Sequence, residues 1–203
     1  MKMHQLTIAT YAATLMAAPA MARGYVLVDY NDSNMLDIAD PAQWSPIAEK
    51  IGGGVSVLGE VSGSFTAKDS AEVAYLVSEG APVTAEPFPE GGQRVVVFAA
   101  GEQVADWMLP ADAAFSRPVA ARDLDGDDID EVVFEGSFYN MGTMAIGLSA
   151  VKLGETPEVI QTLPDVYIDS CEAGSGQRSI EASTVRVIDG ELVADTTTLD
   201  CTR

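Results

Sequence analysis

Nine residues concentrate the chemistry that this sequence offers: Asp123-Leu124-Asp125-Gly126-Asp127-Asp128-Ile129-Asp130-Glu131, with six carboxylates in one short stretch. Oxygens at alternate positions of a turning backbone converge, and a hard divalent cation such as Ca²⁺ takes six to eight oxygen ligands at about 2.3–2.6 Å. Asp123, Asp125 and Asp127 supply carboxylates in that alternation, the Ile129 carbonyl follows two residues later, and Glu131 closes the set. Carboxylates this close repel one another until a cation, or the salt of the solvent, neutralises them. The other reading of the same residues is a charged turn kept in solvent without an ion.

The rest of the chain narrows the alternatives. Lys2 and His4 head a mostly apolar run from Leu6 to Pro19, and Ala20-Met21-Ala22 precedes Arg23, the pattern of a secretory signal peptide spanning residues 1–22. Its removal predicts an exported chain, periplasmic or extracellular, whose mature part is not inserted in a membrane. It also removes His4, the one histidine of the sequence. Serine or cysteine nucleophiles activated by imidazole, and zinc or iron held by histidine, are then excluded. Carboxylate pairs, Ser-Lys pairs and metals held by oxygen remain. Ser149-Ala150-Val151-Lys152 has the Ser-x-x-Lys spacing, but the stretch reads as a strand, where no helical turn places the lysine beside the serine. A net charge of −20 repels phosphate backbones and anionic headgroups, which removes nucleic acid as a partner and favours cations.

These nine residues have to be positioned by strands. Tyr25–Val28, Val55–Leu58, Glu72–Val77, Arg94–Ala99, Glu131–Glu135, Met144–Leu153, Val159–Leu163 and Thr184–Ile188 are short apolar or β-branched runs bounded by turn residues, which predicts an all-β domain over residues 23–203. The Asp189-Gly190 pair between two such runs predicts a hairpin over residues 184–195, because a type I′ turn needs positive φ at both central positions. One short helix is expected near the start, from Asp40 to Lys50, capped by Asp40, limited by Pro46 and ended by Gly52-Gly53-Gly54. Cys171 and Cys201 are the two cysteines, and in an exported chain they are expected to form a structural disulfide.

A weak repeat surrounds the acidic stretch. Gly63 to Tyr75 aligns with Arg122 to Phe134 at an offset of 59 residues, each copy a turn that enters a strand through Glu-Val, with Phe65 or Leu124 seven positions before the Glu. Repeat-like units of about 55–110 and 115–170 follow, and Ile180–Val185, where a third copy belongs, does not resemble the other two. An EF-hand does not fit, because Asp128 and Phe134 stand where that loop needs Gly and Glu, and a strand rather than a helix follows. Asp123 to Phe134 instead resembles the calcium loop of FG-GAP (integrin α-type, VCBS-like) repeats, D-x-[DN]-x-D-G-x-x-[DE] running straight into an apolar strand, with Asp128 in place of the usual Gly. The resemblance covers about residues 55–160. It implies a partial β-propeller-like or sandwich-like stack of antiparallel sheets, with a structural Ca²⁺ on Asp123, Asp125, Asp127, the Ile129 carbonyl and Glu131. In the upstream copy Ser64, Thr66 and Lys68 occupy the first three ligand positions, a turn without a metal.

Two or three units are too few to close a propeller, so the sheets stack or copies of the chain self-associate. The expected function is that of a non-enzymatic, exported β-repeat protein acting as a binding module for protein or glycan. A carboxylate-based glycan hydrolase is the enzymatic rival, since an Asp/Glu pair needs no histidine. A disulfide-stabilised periplasmic chain without ligand is the third reading. Trp44, Trp107, Phe138 and Tyr139 are the aromatic residues that a glycan-stacking surface would use, if they are not core.

Overall fold

The computed structural model describes residues 24–36, 40–79, 92–111, 114–174, 176 and 178–201, so the signal-like segment 1–22 lies outside the described residues. The strands are β1 (Tyr25–Asp29), β2 (Val55–Gly63), β3 (Glu72–Glu79), β4 (Gln93–Ala99), β5 (Glu102–Met108), β6 (Arg117–Arg122), β7 (Glu131–Asn140), β8 (Thr143–Lys152), β9 (Glu158–Asp169), β10 (Ile180–Ile188) and β11 (Glu191–Leu199). All pair antiparallel, in two sheets: β2-β3-β4-β5, and β1-β10-β9-β8-β7-β6 with β11 on the other side of β10. The fold is all-β, as the strand spacing predicts. β5 and β6 are not among the strands expected from the sequence: β6 is a short run of Val119, Ala120 and Ala121 after Pro118, and β5 is mostly exposed at the edge of its sheet.

The expected helix is present in shortened form, preceded by a 3₁₀ turn. Asp40 accepts a hydrogen bond from the Ala42 amide and caps a 3₁₀ turn (Pro41–Trp44), after which α1 (Ser45–Ile51) carries Pro46 in its first turn, where a missing amide hydrogen costs nothing. Gly52, with φ of 137°, ends it.

Two runs of consecutive valines dictate the layering. Val95, Val96 and Val97 on β4 are all buried, as are Val132, Val133 and Phe134 on β7. Successive side chains of a strand point to opposite faces, so a strand buried at every position must be covered on both sides. On β4 the cover is α1 on one face, where Trp44, Ile47, Ala48 and Ile51 pack on Val57, Val77, Val96 and Phe98. On the other face Ala74, Leu76, Val95 and Val97 meet Val132, Phe134, Val151 and Leu153 of the large sheet. The opposite face of β7 and β8 closes a second core, in which Val133, Ile146, Leu148 and Ala150 meet Val28, Tyr30, Val166 and Val185. The large sheet curls until β1 touches β6, and is nearly closed.

β1 is attached to this barrel-like sheet by polar contacts as well. The Tyr30 hydroxyl donates to Glu135 Oε1 (2.7 Å), and Arg117 donates through Nε to Glu135 Oε2 (2.7 Å) and also to the Met35 carbonyl. Burial and the neighbouring Glu135 carboxylate hold the Tyr30 phenol in its protonated form, far above the usual tyrosine range. The loop after β9 is tied to the end of β11 by the Cys171–Cys201 disulfide.

Two stability outcomes follow. Arg117→Ala leaves the Glu135 carboxylate buried without its cation and lowers unfolding free energy by about 3 kcal/mol, against about 1 kcal/mol for Tyr30→Phe, read in urea melts. Reducing the disulfide, which closes a loop of 30 residues, lowers stability by about 3–4 kcal/mol in the chain-entropy description.

Candidate metal centre

The acidic stretch is the loop from β6 to β7, and it is pinned at both ends. Leu124 inserts into the core of the large sheet, and its amide donates to Glu131 Oε2 (2.7 Å) at the first residue of β7. Asp123 organises the turn: Oδ1 accepts from the Gly126 (2.7 Å) and Asp127 (3.2 Å) amides, and Oδ2 from Asp128 (3.0 Å). Asp125 Oδ1 accepts from the Asp127 amide, and Asp127 Oδ1 from Ile129. Asp128 takes the left-handed conformation, φ 69°, that glycine would adopt without cost, and Asp is among the residues that tolerate it.

Of the predicted ligands, Asp123, Asp125 and Glu131 come together, each offering a carboxylate oxygen within 4.8 Å of the others. Asp127 stands outside this group, its Oδ2 paired at 2.6 Å with the ammonium of Lys152, which also contacts Asp125 Oδ2. Ile129 is half-buried beside them. The Lys152 hydrogen bond and the Ile129 amide hold the Asp127 carboxyl below the usual range. Asp125 and Asp127 hold the Lys152 ammonium firmly in its charged form.

Glu131 is the unusual member. It is 0% exposed, and its Oε1 is buried with no hydrogen-bond partner. Burial, with the nearby Asp125 and Asp127 charges adding to it, pushes its carboxyl above the ordinary range, although the Leu124 amide pulls the other way.

The other hairpin explains what is missing. β2 and β3 pair Gly63 with Glu72, Ser62 with Val73 and Val61 with Ala74, while β6 and β7 pair Arg122 with Glu131, Ala121 with Val132 and Ala120 with Val133, the same register at an offset of 59. Asp69, at the position equivalent to Asp128, also has positive φ. Glu72 is buried like Glu131, and its Oε2 accepts from the Phe65 amide (2.6 Å) as Glu131 accepts from Leu124. Its Oε1, however, receives the Thr66 hydroxyl. Burial alone would raise the Glu72 carboxyl, but these donors from Thr66 and Phe65 bring it below the ordinary range. Asp125 stands where Thr66 stands, and an ionised carboxylate has no proton to donate. Glu131 therefore faces an acceptor, and the pair calls for a cation or a shared proton between them.

The two turns are joined to each other. The Ser64 amide donates to Asp130 Oδ2 and the Asp130 amide to the Ser64 carbonyl, both at 2.8 Å, and Lys68 pairs with Asp128 at 2.6 Å. The β10–β11 turn closes the third side: Asp189 and Gly190 have φ of 51° and 83°, and a Cβ on Gly190 would lie 2.4 Å from the Leu124 carbonyl. A cleft of about 320 Å³ opens between Tyr25, Asp123 and this turn, with the Arg122 guanidinium 5.0 Å from the Tyr25 ring centre.

The other candidates separate. Trp44 packs edge-on to Tyr75 under α1, and Trp107 packs on the opposite face of the small sheet, so they share no surface; Phe138 and Tyr139 are exposed on β7. Ser149 and Lys152 lie on β8, with the lysine committed to the acidic loop. Lys152 and the complete burial of Glu131 carry no local signal in the sequence, and the alignment of Glu131 with Glu72 is the nearest hint.

No protein-family model, no curated protein and no solved structure matches this chain. The site therefore rests on its geometry.

Glu131→Gln tests that geometry. The amide keeps an oxygen for Leu124 and supplies the donor that Asp125 lacks, so in EDTA the variant is expected to unfold about 1–3 kcal/mol less readily than the wild type. A variant that melts lower than the wild type in EDTA would show that Oε1 is not the unsatisfied atom.

Proposed function

We propose that the chain is an exported, non-enzymatic β-repeat protein whose acidic loop is stabilised by Ca²⁺, and that it acts as a binding module for protein or glycan. The observation that carries the cation is that Glu131, grouped with Asp123 and Asp125, has its Oε1 buried and unpartnered. Three carboxylates with hard oxygen donors suit a divalent cation of the Ca²⁺ class, and such an ion would supply the charge that Thr66 supplies as a hydrogen bond in the other turn. The FG-GAP resemblance of Asp123–Phe134 and the matched hairpin registers support the repeat reading.

Export is supported by the N-terminal signal pattern and by the disulfide, which persists in oxidising compartments. No helix among the described residues is long and apolar enough to cross a membrane. Against the hydrolase reading stands the burial of Glu131. A general acid must reach the glycosidic oxygen, and a carboxyl with 0% exposure offers it no surface.

Calcium titration in a thermal melt decides the point, with Mg²⁺ as control. An ion bound to the native state alone at a Kd of about 10 µM adds about 2.7 kcal/mol at about 1 mM. The expected result is a calcium-selective rise in Tm that Asp125→Ala abolishes; a rise matched by Mg²⁺, or none, would leave the loop a charged turn.

A further inference from the structure

Lys152 is paired with two of the carboxylates that the spacing assigns to a cation, Asp125 and Asp127. It ends β8, the strand paired with β7, and its ammonium lies on Asp125 Oδ2 and on Asp127 Oδ2. Asp127 lies outside the Asp123–Asp125–Glu131 group, with its Oδ2 on this ammonium, although it stands at the alternate position that would bring it in. Glu131 belongs to that group and its Oε1 is buried without a partner, so the lysine neutralises the outer half of the site and leaves the buried half unsatisfied. A monovalent ammonium on a flexible stem, 37% exposed, is a replaceable counter-ion rather than a buried strut.

We propose that Lys152 is a built-in competitor for the cation: it occupies Asp125 and Asp127 until a divalent ion enters, is then expelled to solvent, and so sets the affinity of the loop. The inference rests on the cation reading above and adds to it a residue that determines affinity without touching the ion. Two charges near one another at a protein surface interact strongly enough that removing the resident ammonium favours the incoming one. Release of Lys152 also frees Asp127 to join Asp123, Asp125 and Glu131, so ligand number and lysine position change together.

The experiment has two readouts on the purified protein. Calorimetric Ca²⁺ titration of the wild type, Lys152→Met and Lys152→Gln is expected to show affinity at least tenfold tighter in both variants, with far-UV circular dichroism confirming that each is folded. Acylation of lysines by an N-hydroxysuccinimide ester, read by peptide mass spectrometry, is expected to rise severalfold at Lys152 as Ca²⁺ saturates, while Lys50, on the far side of the small sheet, stays constant. Binding by the variants but not by the wild type supports the proposal in its strongest form. Calcium binding with equal affinity in all three chains and unchanged acylation of Lys152 would overturn it while leaving the cation site intact. Absence of calcium binding in the wild type and both variants would overturn the cation reading and this inference together.

Discussion

Each of the two β-hairpins that carry an acidic or polar turn is governed by one buried glutamate at the start of its second strand. Glu72 and Glu131 reach back seven residues to hold the amide of a large apolar residue, Phe65 or Leu124, whose side chain is thereby inserted into a core. A buried carboxylate is costly unless its oxygens are hydrogen-bonded, so everything else about each turn follows from how the second oxygen is satisfied. At Glu72 a hydroxyl does it from within the turn. At Glu131 the corresponding side chain is another acid, and the turn acquires the carboxylate-rich surface, the tilt of Lys152 and the link from Lys68 that its neighbour does not need.

The layers make that choice consequential. The acidic loop lies where three pieces of backbone meet: the Ser64 turn of the small sheet, the β6–β7 turn, and the β10–β11 turn whose Gly190 leaves no room for a side chain above Leu124. The reciprocal hydrogen bonds between Ser64 and Asp130 fasten the turn of the small sheet to that of the large one. An ion at Asp123, Asp125 and Glu131 would therefore stiffen a junction between sheets as well as a turn.

The sequence made the strand content legible because apolar runs and turn residues alternate at short intervals, and the Asp189-Gly190 turn because only that chemistry suits two positive φ angles in succession. β5 escaped notice because it is an edge strand with one face in solvent, and Glu102, Gln103 and Asp106 dilute its pattern. The valines of β4 and β7 turn out buried on both faces, and nothing local in the sequence indicates which layer covers which side. At the site, the convergence of Asp123, Asp125 and Glu131 accords with their spacing, whereas the pairing of Asp127 with a lysine 25 residues away in the chain depends on strand pairing that brings the two near. The offset of 59 residues was readable although few identities support it, because the residues that carry the turn, a large apolar side chain and a glutamate seven positions later, are the ones with a structural task.

β1 has a consequence for how such a chain is made. It is the first of the described strands, yet its hydrogen-bonding partner is β10, with Asp29 opposite Thr184, and the neighbouring Tyr30 is anchored on Glu135. Contacts that far apart along the chain cannot form until β10 has been made, and loop closure over such a distance slows folding. The hairpins β2–β3, β3–β4 and β4–β5 involve only near neighbours and can pair early. Both cysteines lie beyond residue 170, so no thiol is exposed to wrong pairing while the small sheet assembles. The first of the described strands is thus among the last to dock, held against a strand made about 155 residues later.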